Sequence, residues 1–74
     1  MLYLELGSEH GGLHLVNVLK MAGLVESTSA AHRMLNQKAV KIDSAKVEEN
    51  IFIKKGEEHI YQIGKRKFAK IKLK

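Results

Sequence analysis

Residues 27–43, STSAAHRMLNQKAVKID, change their hydrophobic period from 3.6 to 2 with no linker between. A helix that feeds straight into a strand must pack over the sheet it enters, so this stretch constrains the fold most. On a helical wheel Ala30, Ala31, Met34 and Leu35 fall on one side, and Ser29, His32, Arg33, Asn36 and Gln37 on the other. Ser27 suits the N-cap, where its hydroxyl can accept from a free helix amide. Alanine at position 30 leaves the capping box incomplete. Beyond the helix Val40 and Ile42 face a core and Lys41 faces solvent. The polar helix side has no carboxylate, whereas exposed faces usually mix acids with bases to gain i,i+4 pairs. Donors without acids suit a phosphate surface; an ordinary wet face is the plainer alternative.

Upstream, Leu13 to Ala22 predicts a helix with Leu15, Val18, Leu19 and Ala22 as its apolar stripe. Gly23 suits the left-handed position past its end, and Leu24 can pack back on Leu19. The two helices are a few residues apart, so they must bury their stripes against each other. Leu2, Leu4 and Leu6 alternate with Tyr3 and Glu5, a pattern open to an edge strand, a linker remnant or a leader. His10-Gly11-Gly12 reads as a flexible joint that stops structure from running through it.

Downstream the period stays at two. Asp43-Ser44 is a tight turn, though Asp-Gly or Asn-Gly would suit it better. Lys46-Val47 returns, Ile51-Phe52-Ile53 re-enters the core, Glu58 to Ile63 is a strand, and Gly64-Lys65-Arg66 turns the chain into a last strand, Lys67 to Leu73. In that strand Ala69, Ile71 and Leu73 alternate with Lys70, Lys72 and Lys74, so one face packs and the other is a ladder of ammonium groups. The lysine row also blunts a sheet edge. Regular alternation gives Phe68 the parity of the lysines, where it could stack on an unpaired base. The reading favoured for so small a core is a local bulge that turns Phe68 inward.

Charge narrows the partner. The chain of 74 residues carries a net charge of +5 and is one small domain. All 8 carboxylates lie at or before Glu58, while residues 65–74 hold six of the 13 Lys and Arg. Such asymmetry points to nucleic acid, or secondarily to an acidic membrane surface. The strand-like alternation of residues 65–74 argues against a membrane-lying helix, and no apolar run reaches membrane-spanning length. The absence of cysteine excludes disulfides and thiolate metal sites.

Catalysis finds no support. His10 and His14 have i,i+4 spacing, but the glycine pair between them denies them a shared helix, so no metal site is expected. His32 and His59 stand alone. Ser27 and Ser29 read as helix-start residues rather than nucleophiles. Glu48-Glu49 and Glu57-Glu58 fall in predicted turns and read as solvated charges. No glycine-rich phosphate loop occurs.

Leu19, Gly23-Leu24, Ser27-Thr28-Ser29, Ala31, Arg33, Met34-Leu35 and Val40-Lys41-Ile42 together resemble the small RNA-binding domain shared with ribosomal small-subunit protein S-four, the alpha-L motif. Gly64-Lys65-Arg66-Lys67-Phe68 resembles the end of bacterial-type tyrosyl-tRNA synthetases, whose C-terminal domain has this fold. The resemblance covers residues 13–73. It implies an α+β fold, two packed helices followed by a small, mostly antiparallel sheet, with a helix–strand surface that binds structured RNA. In the synthetases that domain hangs from the catalytic body on a tether and grips the anticodon stem and variable arm of tyrosine tRNA. The His-Ile-Gly-His and Lys-Met-Ser-Lys-Ser signatures of the catalytic part do not occur in this sequence.

The resemblance therefore implies a noncatalytic piece of a tyrosine–tRNA ligase: a tether or leader over residues 1–12 and an RNA-binding domain over residues 13–74. The chain itself is expected to be a cytoplasmic monomer without cofactor. The parent would use ATP and tyrosine and dimerise through its catalytic part. RNA-contact roles carry over to Ser27, Ser29, His32, Arg33, Lys65, Arg66 and Lys67. The wheel and strand parity add Asn36, Gln37, Lys38, Lys41, Lys70 and Lys72. The chain departs from the family pattern at His32, where a titratable ring replaces an arginine, and at Ala30, which replaces an acid. It departs again at Lys38-Ala39, in place of glycine, and at Asp43-Ser44, in place of Asn-Gly. The same fold on an RNA-modifying enzyme or a ribosome-associated protein is the alternative.

Overall fold

The structure is a computed structural model and describes residues 2–8 and 10–74. In chain order its elements are β1 (Leu2–Leu6), β2 (Gly12–His14), α1 (Leu15–Met21), α2 (Thr28–Asn36), β3 (Val40–Ile42), β4 (Ala45–Val47), β5 (Phe52–Lys54), β6 (Glu58–Ile63) and β7 (Lys67–Leu73). This is the expected α+β arrangement, two helices and a mostly antiparallel sheet. The main sheet has the order β1-β7-β6-β3-β4, and β2 pairs with β5 separately. All pairings are antiparallel except β1 with β7.

Both helices end in the same device. After α1 the Gly23 amide donates to the Lys20 carbonyl and the Leu24 amide to the Leu19 carbonyl, both at 3.0 Å. Gly23 sits at φ 77°, the left-handed conformation that glycine adopts without penalty. Leu24 and Leu19 are both buried, so the apolar contact that accompanies this stop is made. After α2 the Lys38 amide donates to Leu35 at 3.0 Å and the Ala39 amide to Met34 at 2.9 Å. There the left-handed position, φ 59°, is filled by Lys38.

The hairpin turn repeats this substitution of side chain for glycine. Asp43 (φ 51°) and Ser44 (φ 71°) both have positive φ, as the two-residue turn between β3 and β4 demands. Asp43 is held by a second job. Its Oδ1 accepts from the Ile60 amide at 2.9 Å and its Oδ2 from His59 Nδ1 at 2.6 Å.

The core lies between the helices and one face of the main sheet. Leu15, Val18, Leu19, Ala31 and Leu35 meet Val40, Tyr61, Ile63, Ala69, Ile71 and Leu73 there. Each large apolar side chain buried in this way stabilises the fold by about 1.5–3 kcal/mol. Tyr61 is fully buried, and its hydroxyl has no hydrogen-bond partner among the described residues.

Four expectations need correction. The helix predicted from Leu13 begins at Leu15, because Leu13 and His14 pair with Ile53 and Phe52 across β2 and β5. The first amides of α1 find distant partners instead: Leu15 donates to the Ile51 carbonyl at 2.8 Å and Val16 to Asn50 Oδ1 at 3.1 Å. Gly12 is no joint. It sits inside β2, where a β-carbon would overlap the Ile53 carbonyl oxygen and lie 2.8 Å from the Phe52 ring. Phe68 is not turned inward. The β6–β7 register runs without a bulge through Gln62↔Phe68, and Phe68 is 42% exposed. Glu57 and Glu58 are not merely solvated charges. Glu57 accepts from the Lys54 amide at 2.6 Å and bonds His59 Nε2 at 2.8 Å, and Glu58 accepts from the Tyr3 hydroxyl at 2.9 Å.

Of the readings open for the first residues, the edge strand is the one formed. Leu4 and Leu6 of β1 pack against the core, and the Lys74 amide donates to the Leu6 carbonyl at 2.8 Å. The boundary expected at residue 13 thus falls within β2.

Candidate nucleic-acid interface

The end of α2, the β3–β4 hairpin and the β6–β7 turn converge on one side of the molecule. Gly64 (φ 65°) opens that last turn, and its amide donates to the Ala39 carbonyl at 2.8 Å. Gln62 Nε2 donates to the Gly64 carbonyl at 2.8 Å. The turn is therefore pinned to the α2–β3 junction, and Lys65 is carried to the end of α2.

Two shallow clefts meet here. One, of about 300 Å³, has Leu24, Met34 and Ile63 in its wall and Arg33, Gln37 and Lys67 among its polar residues. The other, of about 350 Å³, is lined by Gln37, Lys38, Ala39, Lys41, Lys46, Gly64 and Lys65. Gln37 belongs to both, so the clefts form one trough. Along it run Arg33, Lys67, Lys65, Lys38, Lys41 and Lys46. Glu26 is the carboxylate on the first cleft, and none lines the second. Lys38 Nζ lies 3.7 Å from Glu48 Oε1, an exposed contact of little energetic weight. Fixed cations at this density with apolar wall between them can neutralise a row of phosphates and follow a ribose edge.

The residues singled out from sequence divide into groups. Arg33, Gln37, Lys38, Lys41, Lys65 and Lys67 come together in the trough. Ser29, His32 and Asn36 are exposed on the neighbouring stripe of α2 without lining it. Arg66 is exposed in the turn. Ser27 is committed to the helix, its hydroxyl accepting from the Ala30 amide at 3.1 Å. Lys70 and Lys72 stand on the sheet face away from the helices, among acids. Lys70 Nζ is 4.0 Å from Glu58 Oε1, and Lys72 lies in register between Glu58 and Glu5.

Sequence reasoning missed Lys46. The signal was present, because a two-residue turn at Asp43-Ser44 forces Lys41 opposite Lys46.

Away from the trough, His59 is a clamp. Both its ring nitrogens meet carboxylates, Nδ1 on Asp43 and Nε2 on Glu57, an arrangement that favours the imidazolium, which donates from both. Partial burial pulls its pKa down, but the bonds to Glu57 and Asp43 outweigh this and leave it above the usual 6.5. Among the described residues no group of three or more His, Asp or Glu is arranged to hold a metal ion. No helix of the described residues is long and apolar enough to cross a membrane.

No model of a known protein family matches the chain. Individual relatives do. The tyrosine–tRNA ligase of Colwellia psychrerythraea is 51% identical over 69 residues, 92% of this chain and 17% of that protein. That of Francisella tularensis is 54% identical over 63 residues, 84% of this chain and 16% of the ligase. That of Coxiella burnetii is 45% identical over 71 residues, 95% of this chain and 18% of the ligase. Such coverage is consistent with a C-terminal domain. Over most of its length the chain is thus related to a minor segment of the tyrosine–tRNA ligases.

Proposed function

We propose that the chain is the noncatalytic tRNA-binding end of a tyrosine–tRNA ligase. It holds the anticodon stem and variable arm of tyrosine tRNA while a catalytic domain outside this sequence consumes ATP and tyrosine. The observation that carries this reading is the trough, where Arg33, Lys38, Lys41, Lys46, Lys65 and Lys67 are gathered against few acids. Phosphate neutralisation supplies most of the affinity, and the shape of the trough selects folded RNA. Binding also orients, since gripping the far end of a tRNA raises the effective concentration of its acceptor end at a tethered active site. The cytoplasm is the compartment this role requires.

Replacing Lys65 and Arg66 together by glutamate tests it. Both side chains are exposed, so the fold is retained while affinity for tyrosine tRNA is lost. A dissociation constant unchanged by the double replacement refutes the reading. A panel of tyrosine tRNA against ribosomal RNA fragments separates the synthetase role from a ribosomal one.

A further inference from the structure

The main-sheet face turned away from the helices has a row of side chains that the trough does not use in full. Lys46, Lys41, Gln62 and Phe68 are successive cross-strand partners on β4, β3, β6 and β7. Cross-strand partners share a face, with neighbouring strands about 4.8 Å apart. The row therefore runs across the sheet from two ammonium groups, past an amide, to an aromatic ring that is 42% exposed. It has no carboxylate. The acids of this face, Glu58 and Glu5, stand in register with Lys72 near the far end of β7. Lys41 and Lys46 also line the trough beside Lys65, so row and trough are continuous.

We propose that this row is a binding site for an unpaired nucleotide of the bound RNA. Phe68 offers its ring face to the base, and stacking of this kind accepts any base. Gln62 has its amide nitrogen held by the Gly64 carbonyl at 2.8 Å, which leaves Oε1 to accept from a base amino group. Lys41 and Lys46 neutralise the phosphates that lead from the nucleotide back into the trough. An open sheet face is suited to this, because a splayed base needs a platform and a paired stem does not. The inference rests on the RNA-binding reading of the trough and adds a second contact of different chemistry.

The test uses the 74-residue chain with Phe68→Leu and Phe68→Trp. The probes are a short oligoadenylate strand and a fully paired RNA duplex of the same length. Phe68→Leu lowers oligoadenylate affinity about tenfold and leaves duplex affinity unchanged. Phe68→Trp restores oligoadenylate binding, and its fluorescence is quenched as the strand is added. If Phe68→Leu leaves both affinities unchanged, as a protein-docking role would, or lowers both equally, the stacking site is overturned while the trough stands. If the unsubstituted chain binds neither probe, the unpaired-nucleotide site is overturned, and its affinity for tyrosine tRNA decides the trough separately.

Discussion

Lys38 shows how one residue can serve function against stability. Its backbone is left-handed, φ 59°, where a β-carbon costs about 1–2 kcal/mol and glycine is the usual occupant. The lysine keeps a cation at the trough. Lys38→Gly should therefore raise stability by about 1 kcal/mol in urea denaturation and weaken RNA binding at the same time. Tyr61 is a second residue under tension. Burial, with the nearby Glu57 and Asp43 charges, raises its phenol pKa far above the usual value, and its hydroxyl has no partner among the described residues. Tyr61→Phe removes a desolvated hydroxyl and keeps the ring, so stability should rise by about 1 kcal/mol. A loss of similar size would mean the hydroxyl is satisfied in solution. Neither tension is visible in a hydrophobic pattern. Lys38 could be suspected only from the glycine it displaces.

At the scale of elements, short-range patterns were reliable and pairings across the chain were not. Both ends of β6 and β7 and the stop after α1 follow from alternation, turn residues and Gly23. The start of α1 does not, because its amides are satisfied by Ile51 and Asn50, more than thirty residues away. Gly12 belongs to the same pairing, so Gly12→Ala should cost at least about 2 kcal/mol by forcing β2 off β5. The His59 clamp ties the β3–β4 turn to the turn before β6. The Asp43 pKa is lowered by its bond from the Ile60 amide and then by His59, and that of Glu57 by His59 and then by the Lys54 amide. A histidine whose folded pKa exceeds 6.5 stabilises fully below 6.5 and loses that contribution as pH rises through the folded value. The carboxylates stabilise above their unfolded values of 3.8 and 4.5 and lose the contribution as pH falls through the lowered ones. The clamp is thus strongest between 4.5 and 6.5. Stability should fall as pH is raised through the raised His59 pKa, and His59→Gln should flatten that slope in denaturation curves.

Across the whole molecule the +5 charge is sorted rather than spread. Cations at the end of α2, the hairpin and the last turn share one side, while Lys70 and Lys72 sit among Glu58 and Glu5 on the open sheet face. RNA affinity should consequently fall linearly on a log–log plot against salt, each phosphate contact contributing a slope of about −0.7 to −0.9. Replacing Lys65 and Arg66 should reduce that slope by about 1.4 to 1.8, whereas replacing Lys72 should leave it nearly unchanged. An equal effect from Lys72 would extend the interface along β7 past Phe68 to the glutamates.

Alternation, helical period and turn chemistry act between residues a few positions apart, so the sequence by itself determined the second helix, the stop of the first, the last two strands and the acid-poor side of α2. Which cations become neighbours depends on register between strands far apart in the chain. Only the tertiary structure could decide that Lys65 is brought beside Lys41 and Lys46 at the trough, that Lys70 and Lys72 leave it for the company of glutamates, and that Phe68 stays largely exposed. The reason is physical: side-chain parity fixes a face, but the elements that cover that face, or leave it bare, are chosen by how the whole core closes.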